Sequence, residues 1–163
     1  RIAMDNALHR EIDLAHRYGQ SLGLLVIDLD RFKSINDNHG HIVGDHVLKD
    51  VVNAIQHCTR NTDMTFRYGG EEFVVLLSKT SLEAAKTITE RIRQTVSEIC
   101  CDGEGGKIHP TVSIGLTMLR FEDNQSTLFS RADKALYQAK TNGRNRVEVA
   151  EELSSTRGAN CIG

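Results

Sequence analysis

The chain has 163 residues, 39% of them hydrophobic, with 13 glycines and one proline; that length suits a single domain, and the composition excludes disordered and fibrous classes. Twenty Lys and Arg against 22 Asp and Glu give a net charge of -2. Such a balance argues against nucleic acid held by bulk positive charge, so any anionic ligand must meet positive groups placed locally.

Asp5 to Tyr18 carries Leu8, Ile12 and Ala15 at helical spacing with Gly19 as a stop, and reads as an opening helix. Leu22 to Leu29 is a dense aliphatic run, too short for a buried helix, and reads as a central strand with Asp28 and Asp30 at its C-terminal end. A polar stretch from Lys33 to Gly44 leads into Val47, Val51, Ile55 and Cys58, one face of a helix that packs on the sheet. Met64 to Tyr68 and Phe73 to Leu77 flank Gly69-Gly70-Glu71-Glu72, and the paired glycines predict a β-hairpin with both glutamates at its tip. Leu82, Ala85, Ile88, Ile92, Val96 and Ile99 mark a further helix, after which Gly103 to Gly106 is expected to be a flexible connection. Thr111 to Leu119 reads as a strand entered through Pro110, and Ala132, Ala135, Leu136 and Ala139 as a last helix closed by Gly143. Val147 and Val149 suggest a closing strand, and residues 151–163 a disordered tail.

This order of elements predicts an α+β fold of the ferredoxin-like kind, one sheet covered by helices. Apolar runs such as Leu24 to Ile27 and Phe73 to Leu77 fall far short of the roughly 20 residues that cross a bilayer. Cys58, Cys100, Cys101 and Cys161 lack CxxC spacing, which fits a reducing, cytoplasmic setting with Cys58 as a buried thiol. Position 1 is Arg rather than Met, so the expectation is a piece of a longer protein whose other segments include a membrane anchor or a sensory domain.

If the first strand lies beside the hairpin, Asp28 converges with Glu71 and Glu72 at one end of the sheet. An isolated Asp-x-Asp is ordinarily just solvated, but two acidic clusters on neighbouring strands form a cation site. Oxygen ligands without thiols or imidazoles select Mg²⁺, which keeps positions for water and substrate phosphates, and phosphoryl chemistry follows as the leading idea.

Gly69-Gly70-Glu71-Glu72-Phe73 resembles the GGDEF/GGEEF signature, and Asp28-Leu29-Asp30-Arg31-Phe32-Lys33 resembles that family's Asp-x-Asp-x-Phe-Lys. Asn36-Asp37, Gly40-His41 and Gly44-Asp45 follow its intervening pattern, and Ala139-Lys140 with Gly143-Arg144-Asn145 its C-terminal one. The likeness covers residues 1–149; the Asp-x-Leu-Thr-Gly-Leu stretch that opens family members is absent, so the domain is expected to be truncated at its start.

The resemblance implies a diguanylate cyclase: two GTP condense to cyclic di-GMP and two pyrophosphates, on a central antiparallel sheet similar to nucleotidyl cyclases and polymerase palms. It implies two Mg²⁺ ions per active site, with Mn²⁺ as an alternative, on Asp28, the Leu29 carbonyl and Glu71. Glu71 and Glu72 are the implied catalytic residues, their separate roles left open. Asn36, Asp45 and His41 are implied for guanine, although a Gly-His turn gives His41 an equally good structural reading. His39 and His46 lack the spacing of a zinc site with His41 and read as solvated loop histidines. Phe32, Lys33, Lys140 and Arg144 are implied for the triphosphate; a basic cap on the last helix is the plainer reading of Lys140 and Arg144. Arg60-Asn61-Thr62-Asp63 lies where the family carries an inhibitory Arg-x-x-Asp site for its product, with Arg91 as a second arginine. Such a quartet is otherwise a surface ion pair. Two nucleotides joined by two equivalent bonds imply a homodimer. The competing reading is a catalytically silent module that binds cyclic di-GMP or GTP.

Overall fold

A computed structural model describes residues 2–150; the expected tail and Cys161 lie outside them. Five helices and seven strands follow one another as α1 (Ile2–Tyr18), β1 (Leu22–Leu29), α2 (Phe32–His39), α3 (His41–Cys58), β2 (Met64–Arg67), β3 (Glu72–Ser78), α4 (Leu82–Ser97), β4 (Cys101–Gly103), β5 (Gly106–Ile108), β6 (Val112–Met118), α5 (Gln125–Thr141) and β7 (Arg146–Val149). The main sheet has the order β2-β3-β1-β6-β7. Its first four strands pair antiparallel, whereas β7 joins β6 in parallel, so the sheet is mixed rather than wholly antiparallel.

Both faces of the sheet are covered, which is why β1 and β3 read as unbroken apolar runs. On one face Leu25, Ile27, Leu29, Phe73, Val75 and Leu77 pack with Val47, Val51 and Ile55 of α3 and Ile92 and Val96 of α4. On the other, Leu22, Leu24, Val26, Val74 and Leu76 meet Met4, Leu8 and Ile12 of α1 and Leu128, Ala132 and Leu136 of α5. Gly115 of β6 is required by contact: a Cβ there would collide with backbone atoms of Ala132 and Leu136, so α5 lies directly on the strand.

Two expected irregular stretches are ordered. The polar stretch from Lys33 holds a second helix, α2, and the start of α3; α2 buries no residue fully, so no apolar stripe announced it, although Phe32 and Ile35 pack against the core. His41 and His46 therefore sit on α3 and His39 on α2, not in a loop. The Gly103–Gly106 connection is a two-stranded hairpin, with Gly105 (φ 86°) and Gly106 (φ 155°) supplying the turn. Among the described residues no helix is long and apolar enough to cross a membrane.

Candidate active site

Strand pairing creates the site. Asp28, next to last in β1, stands opposite Glu72 of β3 and Ser113 of β6. Glu72 thus begins a strand instead of sharing the hairpin tip with Glu71. The Glu71 carbonyl accepts from the Leu29 N–H at 3.0 Å, tying the Gly69-Gly70 turn to the end of β1. Lys140, in the last turn of α5, ion-pairs with Asp28.

The carboxylates are electrostatically crowded. Burial raises the Asp28 carboxyl above its ordinary range, Lys140 opposes the rise, Asp30 adds to it, and Arg144 opposes it. Burial also raises Glu72, reinforced by Asp28, Glu71 and Asp133 against the pull of Lys140. Crowding of this kind is relieved by a cation, and oxygen donors without thiols or imidazoles suit a hard divalent ion. No group of three or more His, Cys, Asp or Glu side chains converges closely enough for a metal among the described residues. A donor set of two carboxylates and a carbonyl, completed by water and phosphate, is what Mg²⁺ ordinarily accepts.

Asp28, Leu29, Phe32, Lys33, Lys140 and Arg144 line a cleft of about 190 Å³. Arg31 turns the chain into α2 in the left-handed region (φ 55°, ψ 34°), which brings the free N–H groups of the helix start to this cleft, beside Lys33. Helix starts attract anions. Asp30 is not available there: it is buried and accepts from Thr111 Oγ1 (2.7 Å), Ser113 Oγ (2.6 Å) and the Asn145 N–H (3.0 Å). This carboxylate fixes the turn that carries Arg144 (φ 64°) and Asn145 (φ 46°). The hydroxyls at Thr111 and Ser113, two residues apart at the entrance to β6, were the signal for it in the sequence.

Where α2 crosses α3, Asn36 Oδ1 is buried without a hydrogen-bond partner. A Cβ at Gly44 would strike it, so the glycine permits the approach. Asp45, the next residue, lines a separate cavity of about 450 Å³ with Leu48, Val52, Arg67 and Phe73. His41 is exposed in the first turn of α3, outside both cavities. Arg67 drew no attention in the sequence; its Nε and Nη2 donate to the Gly69 and Gly70 carbonyls at 3.2 and 2.7 Å, clasping the turn ahead of Glu71.

Arg60 and Asp63 come together at the other end of the sheet. Arg60 donates to both Asp63 oxygens, to the Ser78 carbonyl (2.7 Å) and to Thr80 Oγ1 (2.5 Å). Ser78 and Glu72 are opposite ends of β3, roughly 20 Å apart. The Asp63 side chain is fully buried while that of Arg60 is half exposed. Arg91 is exposed on α4.

Residues 1–146 match the family described as "Diguanylate cyclase, GGDEF domain". Diguanylate cyclase A of Treponema denticola is 48% identical over 133 residues, 81% of this chain and 36% of that protein; the chain spans between 22% and 36% of the length of the curated relatives it matches. The GGDEF domain of DgcB from Caulobacter crescentus, solved in complex with c-di-GMP, superposes with a TM-score of 0.89 at 34% identity, covering 93% of this chain and 91% of that one. The active GGEEF domain of a diguanylate cyclase from Vibrio cholerae gives 0.87 at 33% identity, with 93% and 97% covered. With a family match across most of its length and this end-of-sheet arrangement of carboxylates, the chain belongs to the GGDEF family.

Proposed function

We propose that residues 1–149 form a diguanylate cyclase domain that condenses two GTP into cyclic di-GMP with release of two pyrophosphates. The observation that carries this reading is the convergence of Asp28, Glu72 and the Glu71 turn, beside Lys140 and the start of α2, at one end of the sheet. The names of the curated relatives support it.

Asp28, the Leu29 carbonyl and Glu71 would hold divalent metal, Mg²⁺ or Mn²⁺, two ions per site, whose chemistry is to polarise the α-phosphate and offset charge on the pyrophosphate. The protein's own groups do the rest. The α2 start and Lys33 take the terminal phosphates, and Arg144 adds a guanidinium to them. Lys140 leaves Asp28 for the same phosphates as they arrive. Glu71 and Glu72 are the groups that take the proton of the attacking 3′-hydroxyl, and burial, which raises the Glu72 carboxyl, strengthens Glu72 as an acceptor. Asn36, Asp45 and His41 hold guanine, with Asp45 accepting from N1 and N2.

One such site holds one nucleotide, so two subunits face each other, each presenting its GTP to the partner's 3′-hydroxyl. The matched part makes up 36% of one curated relative and 22% of another, and further segments of the kind that fill the rest would bring the pair together in response to a signal. Product binds at Arg60, Asp63 and Arg91 and inhibits by favouring an unproductive arrangement of the two subunits.

The test is incubation with GTP and Mg²⁺, reading pyrophosphate and cyclic di-GMP. Glu71→Gln keeps the turn and removes a charge, and turnover should fall about 100-fold or more. Near-normal turnover in that variant overturns the assignment, and nucleotide binding without pyrophosphate release in the parent favours the silent module.

A further inference from the structure

Resting on the reading of this site as one for GTP, we propose that Arg67 is a specificity-determining residue that recognises guanine on its N7 and O6 edge. The cavity beside Asp45 joins the apolar surface of Leu48, Val52 and Phe73 to charges of both signs, Asp45 against Lys49 and Arg67. Its volume of about 450 Å³ lies within the range of small-molecule pockets. Guanine carries the complementary pattern, with N–H donors at N1 and N2 on one edge and acceptors at O6 and N7 on another. Asp45 can only accept, so it answers the donor edge; Asn36 and His41 do not line this cavity, which leaves its N7 side to another donor.

A planar guanidinium is the group that pairs with O6 and N7 together, and this is the commonest specific contact made to guanine. Arg67 is held ready for it. Nε is spent on the Gly69 carbonyl and one N–H of Nη2 on the Gly70 carbonyl, which leaves both hydrogens of Nη1 and one of Nη2. Lys49 and Asn53 line the same cavity, but an ammonium has no planar fork and an amide offers its donor beside an acceptor. Adenine sets an amino donor next to N7, facing donor against donor across Arg67. Arg67 therefore excludes adenine independently of Asp45.

Calorimetry on the whole chain in Mg²⁺ buffer tests this with 3′-deoxy-GTP and its 7-deaza counterpart, both of which lack the attacking hydroxyl. The parent should bind the 7-deaza compound about tenfold more weakly. Arg67→Ala, checked by thermal unfolding, should bind 3′-deoxy-GTP more weakly than the parent and treat the two compounds alike. Equal affinities in the parent overturn the role of Arg67 while the GTP site stands, and this comparison needs no variant. An N7 penalty that persists in a folded Arg67→Ala also overturns it. Failure of the parent to bind either compound removes the GTP reading together with this one.

Discussion

Replacing Asp30 by Ala probes the buried network that shapes the site while leaving the Asp28, Glu71 and Glu72 side chains in place, although it also removes a charge that raises Asp28. Three donors converge on Asp30, the hydroxyls of Thr111 and Ser113 and the Asn145 N–H, at 2.7, 2.6 and 3.0 Å, and the residue is 7% exposed. A hydrogen bond to a charged acceptor contributes about 1.5–3 kcal/mol, and a stranded buried donor costs about 1–3 kcal/mol. The hydroxyls can rotate toward other acceptors, but the backbone N–H of Asn145 cannot. Counting one charge-assisted bond and one stranded amide gives a loss of about 3 kcal/mol. In a chain of this size each kcal/mol moves Tm by about 2–4 °C, so thermal unfolding should begin about 6–12 °C lower. Asp30→Asn keeps one acceptor oxygen and turns an NH₂ toward donors, and should fall between parent and Ala. Because Asn145 would be released, Arg144 beside it loses its fixed position and turnover of GTP should drop as well. A Tm within about 1 °C of the parent refutes the reasoning, since the three bonds would then carry no stability.

Asp123 contributes to the acid sensitivity of the fold. Burial alone pushes its carboxyl up, but Arg131, the Arg120 N–H and Thr127 together hold it below its ordinary 3.8. Its stabilisation is therefore present above about that pH and is lost as pH falls through the lower native value. Asp123→Asn should be less stable at neutral pH and lose less on acidification, and parallel pH–stability curves count against this. Burial, reinforced by the Asp50 carboxylate that accepts from the thiol, pushes Cys101 up to about 11, so at about pH 8.5 an alkylating reagent should label exposed Cys100 and spare Cys101; equal labelling of the two in peptide mass spectra contradicts the geometry. Arg60→Ala should continue to turn over GTP at cyclic di-GMP concentrations that stall the parent, and should unfold earlier because it deprives the buried Asp63 of its ion pair. Equal inhibition of both proteins removes Arg60 from the regulatory account.

The readability of this chain followed burial. β1, β3, α3 and α5 bury continuous apolar faces, so their residues carried the periodicity that defines them. α2 buries no residue fully and escaped, although it supplies both Asn36 and the helix start that lines the cleft beside Asp28. The β4–β5 hairpin has three residues a side, too few for alternation, and its glycines read as flexibility when they were turn chemistry. Glu72 shows the limit of reading a turn from its residues alone. A Gly-Gly pair announces the turn, but the register that places Glu72 opposite Asp28 comes from β1, more than forty residues away in the chain. Arg67 left no local signal because its partners are carbonyls, which every residue has.

Asp28 and Asp30 are the same residue type two positions apart, both buried at the end of the central strand, and their surroundings give them opposite uses. Asp30 is answered by three donors, from Thr111 ahead of β6, from Ser113 in β6 and from the turn before β7. Asp28 is answered by Lys140, at the end of a flexible four-carbon stem, and burial still keeps its carboxyl raised. A carboxylate in the first state is part of the frame, whereas one in the second gains when a stronger cation replaces the lysine. The frame can hold that unfavourable charge because β1 is paired on both sides, with β3 and with β6, and its remaining side chains are buried in the two cores. The Asp-x-Asp pattern thus combines a brace with a carboxylate left to a mobile partner. The brace holds the turn that carries Arg144, and in the proposed cyclase that turn sets where phosphate would arrive beside Asp28.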